Sequence, residues 1–248
     1  MSRRAFAPAP LPTAVALLVA LLCAGLGVWQ WRRGVGSEAE RARFARGADV
    51  VIDLGARAVT EVPLYQRVRL GGLLDGTHQF LLDNRTWHGR AGYEVLTPLA
   101  RAEPRARPAQ PLLLVDRGWV PFAGTRARLP DVRLCAAAPA ELSGRLARLP
   151  SPGLAFGRAG PAAAAPWPKV TSYPHMSELA AALGVPLAAR ILLLDPLEPC
   201  GYVRDWQPPG LPPLRHFAYA IQWWIFAGLA LVLWALLSRR AASADTPP

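Results

Sequence analysis

Two uncharged apolar runs, one near each end, constrain this 248-residue chain more than any other feature. Phe217 to Leu237 is a run of 21 residues without a charge. At about 1.5 Å per residue a helix of that length rises roughly 31 Å, enough to cross a bilayer. Pro12 to Trp31 is likewise uncharged and rich in Ala, Leu and Val. Arg3 and Arg4 precede it, as in a signal peptide, but the run is nearer 20 residues than the roughly 7–15 of a signal core. It ends in Trp29-Gln30-Trp31-Arg32-Arg33, and tryptophans followed by arginines suit a helix anchored at the water interface rather than a small-residue cleavage site. Both runs are therefore read as retained transmembrane helices, over residues 12–31 and 216–237, with tails at 1–11 and 238–248.

Between them lie residues 32–215, enough for one ordinary domain with a sizeable core. The chain has 28 Lys+Arg against 17 Asp+Glu, and the tails hold four arginines and Asp245, which leaves +8 for the middle. A basic domain of this kind meets an anionic lipid surface, an acidic partner or an acidic ligand, or simply owes its charge to a compositional bias towards arginine, Lys169 being the only lysine. No compact basic run is present, and a domain tethered at both ends to a bilayer is not a nucleic-acid reader. Of the three cysteines, Cys23 lies in the first span; Cys135 and Cys200 are able to pair in an oxidising compartment, but their spacing does not decide it. There is no C-x-x-C, which disfavours thioredoxin-like chemistry and c-type haem attachment, and two methionines are too few for a soft-metal carrier. Seven arginines flank the spans on the domain side (Arg32, Arg33, Arg41, Arg43, Arg46, Arg204, Arg215) against four on the tails, which favours a domain facing inward. Long loops translocate largely regardless of charge, so this count leaves the topology open.

From Pro63 the texture changes. Val68–Leu70, Gln79–Leu82, Tyr93–Leu96, Leu112–Val115, Leu142–Leu146 and Ile191–Leu194 are short apolar or alternating runs, most of them bounded by Gly, Pro, Asn or Asp. This is the pattern of strands in a mainly antiparallel β domain, either a barrel or a sandwich. Ser37 to Ala45 reads as a polar extension of the first helix, and Ser177 to Leu183 as the one internal helix, with Ser177 as N-cap and Gly184 as stop. Residues 101–111 and 150–168, rich in Pro, Ala, Gly and Arg, read as exposed loops.

Four clusters resemble the surfeit locus family of cytochrome c oxidase assembly proteins. They are Leu26-Gly27-Val28-Trp29-Gln30-Trp31-Arg32; Asp83-Asn84-Arg85 with Gly89, Gly92-Tyr93 and Thr97-Pro98-Leu99; Val115-Asp116-Arg117-Gly118-Trp119-Val120-Pro121; and Arg215-His216 with Tyr219-Ala220-Ile221-Gln222-Trp223. Trp167-Pro168-Lys169 and Gly201 to Trp206 also fit bacterial members. The resemblance runs from about residue 22 to 235, and its specificity lies in the order and spacing of the motifs together. One departure is Asp116, where family members often carry Asn; a salt bridge with Arg117 or Arg85 is expected to replace the neutral bond. The resemblance implies a two-span inner-membrane protein with its domain outside the cytoplasm, and a part in building the haem a/copper subunit of the terminal oxidase by delivering or retaining haem a. It implies the oxidase catalytic subunit as partner, with haem a synthase as a further one. The short segment before the first span points to a bacterial cytoplasmic membrane rather than an organelle.

Antiparallel spans bring the C-terminal end of the first and the N-terminal end of the second to one interface. Trp29, Gln30, Arg32 and Arg33 then share a depth with Arg215, His216, Tyr219 and Trp223. His216, Tyr219, Ala220, Trp223 and Ala227 fall on one helical face, while Ala16, Ala20 and Ala24 repeat every four residues as a packing seam. Haem suits such a place: an apolar ring beside indoles, anionic propionates beside arginine, and iron on a neutral imidazole. The candidate cofactor site is therefore His216 as iron ligand, with Tyr219, Trp223, Arg215, Trp29, Arg32 and Arg33 around it. The alternative for His216 is an interfacial anchor, and for Trp29, Gln30 and Gln222 plain packing or bonding between helices.

In the domain, Arg85, Arg117 and Trp119 are candidates for contact with the oxidase subunit. Their structural alternative is a pairing of arginine with Asp83 or Asp116 and a core tryptophan. His78, His88 and His175 lack ligand-type spacing and are read as surface or turn residues. An enzyme is disfavoured, there being no Gly-x-Ser-x-Gly, His-Glu-x-x-His or phosphate-cradling glycine loop. The competing readings are a haem-binding assembly factor and a scaffold that stabilises the oxidase subunit without touching cofactor.

Overall fold

The computed structural model describes residues 4–6, 8–102, 110–125, 128–135, 140–150 and 159–241. Parts of the expected tails (1–3, 7 and 242–248) and of the expected loops (103–109 and 151–158) lie outside these residues. The elements run in the order β1 (Arg4–Phe6), α1 (Pro10–Arg46), β2 (Val51–Asp53), β3 (Arg67–Leu74), β4 (Phe80–Trp87), β5 (Arg90–Arg101), β6 (Leu112–Pro121), β7 (Ala140–Ala147), β8 (Lys169–Thr171), α2 (Met176–Leu183), β9 (Leu187–Leu194), α3 (Pro213–Leu237) and β10 (Arg239–Ala241). They form two compact units, Met1–Ala42 with Pro208–Pro248, and Arg43–Gln207.

The first unit is an antiparallel helix pair. Both α1 and α3 are long and apolar enough to cross a membrane. Leu21, Leu22, Ile225 and Leu229 on their outer faces are exposed, unlike the buried stripe of a soluble core helix. The polar stretch Ser37 to Ala45 continues α1 without a break, as expected.

The second unit is a β domain. Each of the six expected apolar runs lies in a strand, Gln79 alone falling just before its strand. The strands line up as β2-β3-β7-β9-β6-β5-β4-β8, and a further pairing of β3 with β5 closes β3-β7-β9-β6-β5 into a five-stranded barrel. The choice between barrel and sandwich is thereby decided. Most pairings are antiparallel, but β6–β9 inside the barrel and the edge pairings β2–β3 and β4–β8 are parallel. Alternation explains the unbroken apolar runs. Leu113 and Val115 of β6, with Leu192 and Leu194 of β9, enter one core cluster with Val68, Leu70, Leu99, Leu142 and Leu146. Leu114 and Ile191, one residue out of phase, enter another with Phe80, Leu96 and Leu179 of α2. Strands covered on both faces need no polar alternation.

Helix α2 begins one residue before the expected span. His175 rather than Ser177 precedes it, and the Glu178 carboxylate accepts the His175 backbone N–H at 2.6 Å. Gly184 ends it in the left-handed region (φ 71°), as expected.

Candidate functional site

The facing surfaces of α1 and α3 follow a spacing of three and four. On α1 the covered or half-covered positions include Thr13, Ala16, Ala20, Cys23, Gly27, Gln30, Gly34 and Ser37. On α3 they include Pro213, His216, Ala220, Trp223, Ala227, Ala230 and Trp234. A period of 3.5 is that of a left-handed antiparallel pair. The expected Ala16–Ala20–Ala24 seam is part of this surface, but its most covered members are Ala20, Cys23, Gly27 and Gly34. Three polar ties cross it: Trp234 Nε1 donates to Thr13 Oγ1 (3.0 Å), His216 Nδ1 meets Gln30 Oε1 (2.9 Å), and Ser37 Oγ donates to the Leu211 carbonyl (2.7 Å).

His216 is buried, 8 % exposed, although it belongs to a helix whose apolar residues are mostly exposed. The group facing its Nδ1 is the Gln30 side-chain carbonyl oxygen, an acceptor. Nε2 has no hydrogen-bond partner among the described residues. The glycines one turn either side of Gln30 give room for rings: a Cβ at Gly27 would collide with the Trp224 indole, and one at Gly34 with the Phe217 ring. Trp31 stacks on Phe217 (4.7 Å between centroids) and on Trp224 (5.8 Å). An imidazole and an amide thus meet across the helix pair, with aromatic rings lodged one turn to either side.

The expected neighbours of His216 divide. Trp223 is half-buried on the seam and meets Phe226 edge-on. Tyr219 is 48 % exposed and Trp29 52 % exposed, both outside the seam, with the Arg33 guanidinium 5.6 Å from the Trp29 ring. Trp29 and Trp31 flank the seam position of Gln30 on either side, and Trp31, itself 44 % exposed, is the one whose ring meets Phe217 and Trp224 of α3. Arg32, Arg33 and Arg215 are exposed, and so is Gln222, which forms no tie across the pair.

In the β domain, Arg117 is 1 % exposed. Its Nη1 donates to Gln79 Oε1 (2.9 Å) and to the Val132 carbonyl (3.0 Å), and its Nε to the Cys200 carbonyl (2.8 Å). The Tyr202 ring lies 4.9 Å from the guanidinium. These bonds tie the segments around 132 and 200 together, and Cys135 and Cys200 form a disulfide there, with Cα atoms 5.3 Å apart. Burial lowers the Arg117 pKa from its ordinary value, Tyr202 opposing the shift. Buried this deeply, Arg117 presents no surface to a partner. It serves the architecture.

Asp116 points to the other side of β6 and makes no salt bridge with Arg117 or Arg85, contrary to expectation. Its Oδ1 accepts the Gly118 N–H (3.0 Å), and its buried Oδ2 has no hydrogen-bond partner among the described residues. Burial and then the Glu94 carboxylate push the Asp116 carboxyl well above its ordinary 3.8. Arg85 pairs with Glu94 (3.0 Å). Trp119, 7 % exposed, donates Nε1 to the Arg85 carbonyl (3.3 Å), stacks 5.5 Å from Trp87 and covers Gly92. Arg85 and Trp119 therefore share one face of β4–β5–β6, and Arg117 lies on the opposite one. Glu94, Gln79 and Trp31 were not singled out in the sequence. Only the three-and-four spacing through Gly27, Gln30 and Gly34 signals the helix-pair level.

His78 bonds Asp75 (2.7 Å), His88 occupies a turn with φ 47°, and His175 precedes α2. No group of three His, Cys, Asp or Glu side chains that could hold a metal ion occurs among the described residues.

Among curated proteins, none matches the chain. A model of the SURF1 family matches residues 17–228, from the first apolar helix through the β domain and into the second. With that match covering most of its length, the chain belongs to the SURF1 family, known as cytochrome c oxidase assembly factors.

Proposed function

We propose that α1 and α3 span a bacterial cytoplasmic membrane, hold the β domain outside the cytoplasm, and hold haem a transiently for the catalytic subunit of cytochrome c oxidase. Haem a synthase is the proposed donor. The observation that carries this reading is the His216–Gln30 pair across the helices, with Trp224 and Phe217 lodged one turn to either side and Trp31 against both rings. Outward placement of the domain is supported by the Cys135–Cys200 disulfide, which suits an oxidising compartment.

The residues fit the group. His216 would hold the iron through Nε2, the ring nitrogen that does not face Gln30. The aromatic rings and seam alanines offer an apolar wall, Trp223 among them, and Tyr219 and Trp29 stand at its outer flanks. Arg215, Arg32 and Arg33, exposed beside it, suit the anionic propionates through charge-assisted bonds. When bound, haem a supplies the redox-active iron that the oxidase needs. This chain supplies an imidazole, an apolar cover and positive charge. A single histidine holds iron less firmly than a bis-ligated site, which suits a carrier.

The test is complementation of a deletion strain with wild type and with His216→Ala, reading haem a, copper and catalytic-subunit protein in the purified oxidase. Wild type is expected to restore all three, and the variant to restore subunit protein but not haem a. Full haem a with the variant would reduce the role to scaffolding. Normal haem and copper in the deletion strain would remove the assembly role for this chain.

A further inference from the structure

We infer that Gln30 is a positioning residue: its side-chain carbonyl holds His216 in the Nδ1–H tautomer and so leaves Nε2 as the one ring nitrogen with a lone pair. Where the lone pair is used to bind iron, the inference rests on the reading above; the tautomer assignment does not.

The geometry carries it. Gln30 Oε1 and His216 Nδ1 are 2.9 Å apart, across the helix pair and 186 residues apart in sequence. A neutral imidazole has one N–H and one lone pair, and a hydrogen bond at one nitrogen fixes the role of the other. The free side chain in water favours the opposite tautomer, so the preference is one the fold imposes. Gln30 is itself held. It occupies a seam position on α1 between Gly27 and Gly34, whose missing side chains admit the Trp224 and Phe217 rings, and Trp31 closes on both rings. The rings seated at Gly27 and Gly34 bracket Gln30 along α1, and its oxygen faces the imidazole across the seam. The arrangement is that of an outer partner to a metal-binding histidine: a carbonyl or carboxylate takes the distal N–H, sets the ring orientation and raises the basicity of the ligating nitrogen. Removing such a partner typically costs about 10–100-fold in metal affinity. Glutamine achieves this without placing a charge in an apolar helix pair, where a carboxylate would be costly.

Two readouts test the assignment on the full chain in lipid nanodiscs. The first is the tautomer of His216 in the haem-free protein, read from imidazole carbon and nitrogen shifts with histidine-labelled protein. Its signal is identified among the four histidines by comparison with His216→Asn. Wild type is expected to show Nδ1 protonated and Nε2 bare. Gln30→Ala is expected to shift His216 to the Nε2–H form, and Gln30→Glu, which keeps an acceptor, to retain Nδ1–H. The second is titration with hemin, followed by absorbance: Gln30→Ala should weaken binding about 10–100-fold, with Gln30→Glu restoring most of it. An Nε2–H tautomer in wild type, or a tautomer unchanged by Gln30→Ala, overturns the inference. If the tautomer responds as stated while hemin binds no variant, wild type included, the haem reading falls and the positioning role of Gln30 stands.

Discussion

Replacing Arg117 by methionine isolates what one buried guanidinium contributes, because methionine fills much of the volume and removes all the donors. Three bonds are short, to Gln79 Oε1, the Val132 carbonyl and the Cys200 carbonyl. Two of the acceptors keep another donor when Arg117 is gone: Thr97 Oγ1 still donates to Gln79 Oε1 (2.9 Å), and Gln79 Nε2 to the Val132 carbonyl (3.0 Å). The Cys200 carbonyl keeps no other donor among the described residues. Bonds to charged donors contribute about 1.5–3 kcal/mol each, and an orphaned buried acceptor costs about 1–3 kcal/mol. Against this stands the relief of desolvating a guanidinium. With two acceptors compensated, the expected loss is about 3 kcal/mol. For a domain of this size that corresponds to a fall in Tm of roughly 6–12 °C. Arg117→Lys keeps the charge but not the fork and should lose about 2 kcal/mol. The assay is thermal unfolding of the full chain in detergent, followed by near-ultraviolet circular dichroism. A midpoint for Arg117→Met within about 2 °C of wild type would refute the argument that this residue fastens the 132 and 200 segments.

Asp116→Asn tests the raised carboxyl. Its folded pKa lies well above 3.8, so the folded chain keeps a proton that the unfolded chain releases, and the stability this group confers falls as pH rises from about 4 through the folded pKa. Unfolding midpoints at pH 5 and pH 8 should show the asparagine variant gaining on wild type at the higher pH; a constant difference would contradict the assignment. Cys135→Ser should cost about 4 kcal/mol, the chain-entropy value for a loop of 65 residues. Non-reducing peptide mapping of membranes from the host should recover the Cys135–Cys200 cross-link, and its absence would undercut placement of the domain in an oxidising compartment. Gly27→Val puts a side chain where the Trp224 indole lies and should displace it. Disulfide trapping between cysteines at positions 20 and 227, which the register of the Thr13–Trp234 and Gln30–His216 ties sets opposite each other, should then slow, and unchanged trapping would count against the seam.

Six strands were legible because each carries a short apolar run with a turn residue nearby. Which face each residue serves was not: in β6 and β9 both faces are covered, so Leu113 and Leu114 look alike in sequence and enter different clusters. The parallel β6–β9 pairing and the three-residue strands β2 and β8 depend on distant partners and leave no local pattern. In the helix pair the level of His216 and Gln30 followed from antiparallel geometry, but not which indole meets the rings of α3. Trp29 and Trp31 both flank Gln30, and only the three-and-four phase through Gly27 and Gly34 distinguishes them. The pairing of Arg85 with Glu94 across β4 and β5 was hidden for another reason. Asp83 and Asp116 are nearer in motif, but the register shift between Leu82 and Arg85 in the β4–β5 pairing brings the guanidinium to Glu94.

The most direct measurement is the haem a content of the protein purified from a host that makes haem a, wild type beside His216→Ala, by absorbance and pyridine haemochrome. Wild type should carry haem a with a Soret band that the variant lacks, at equal protein and equal far-ultraviolet dichroism. Equal haem a in both, or none in wild type, would contradict a haem site built on His216.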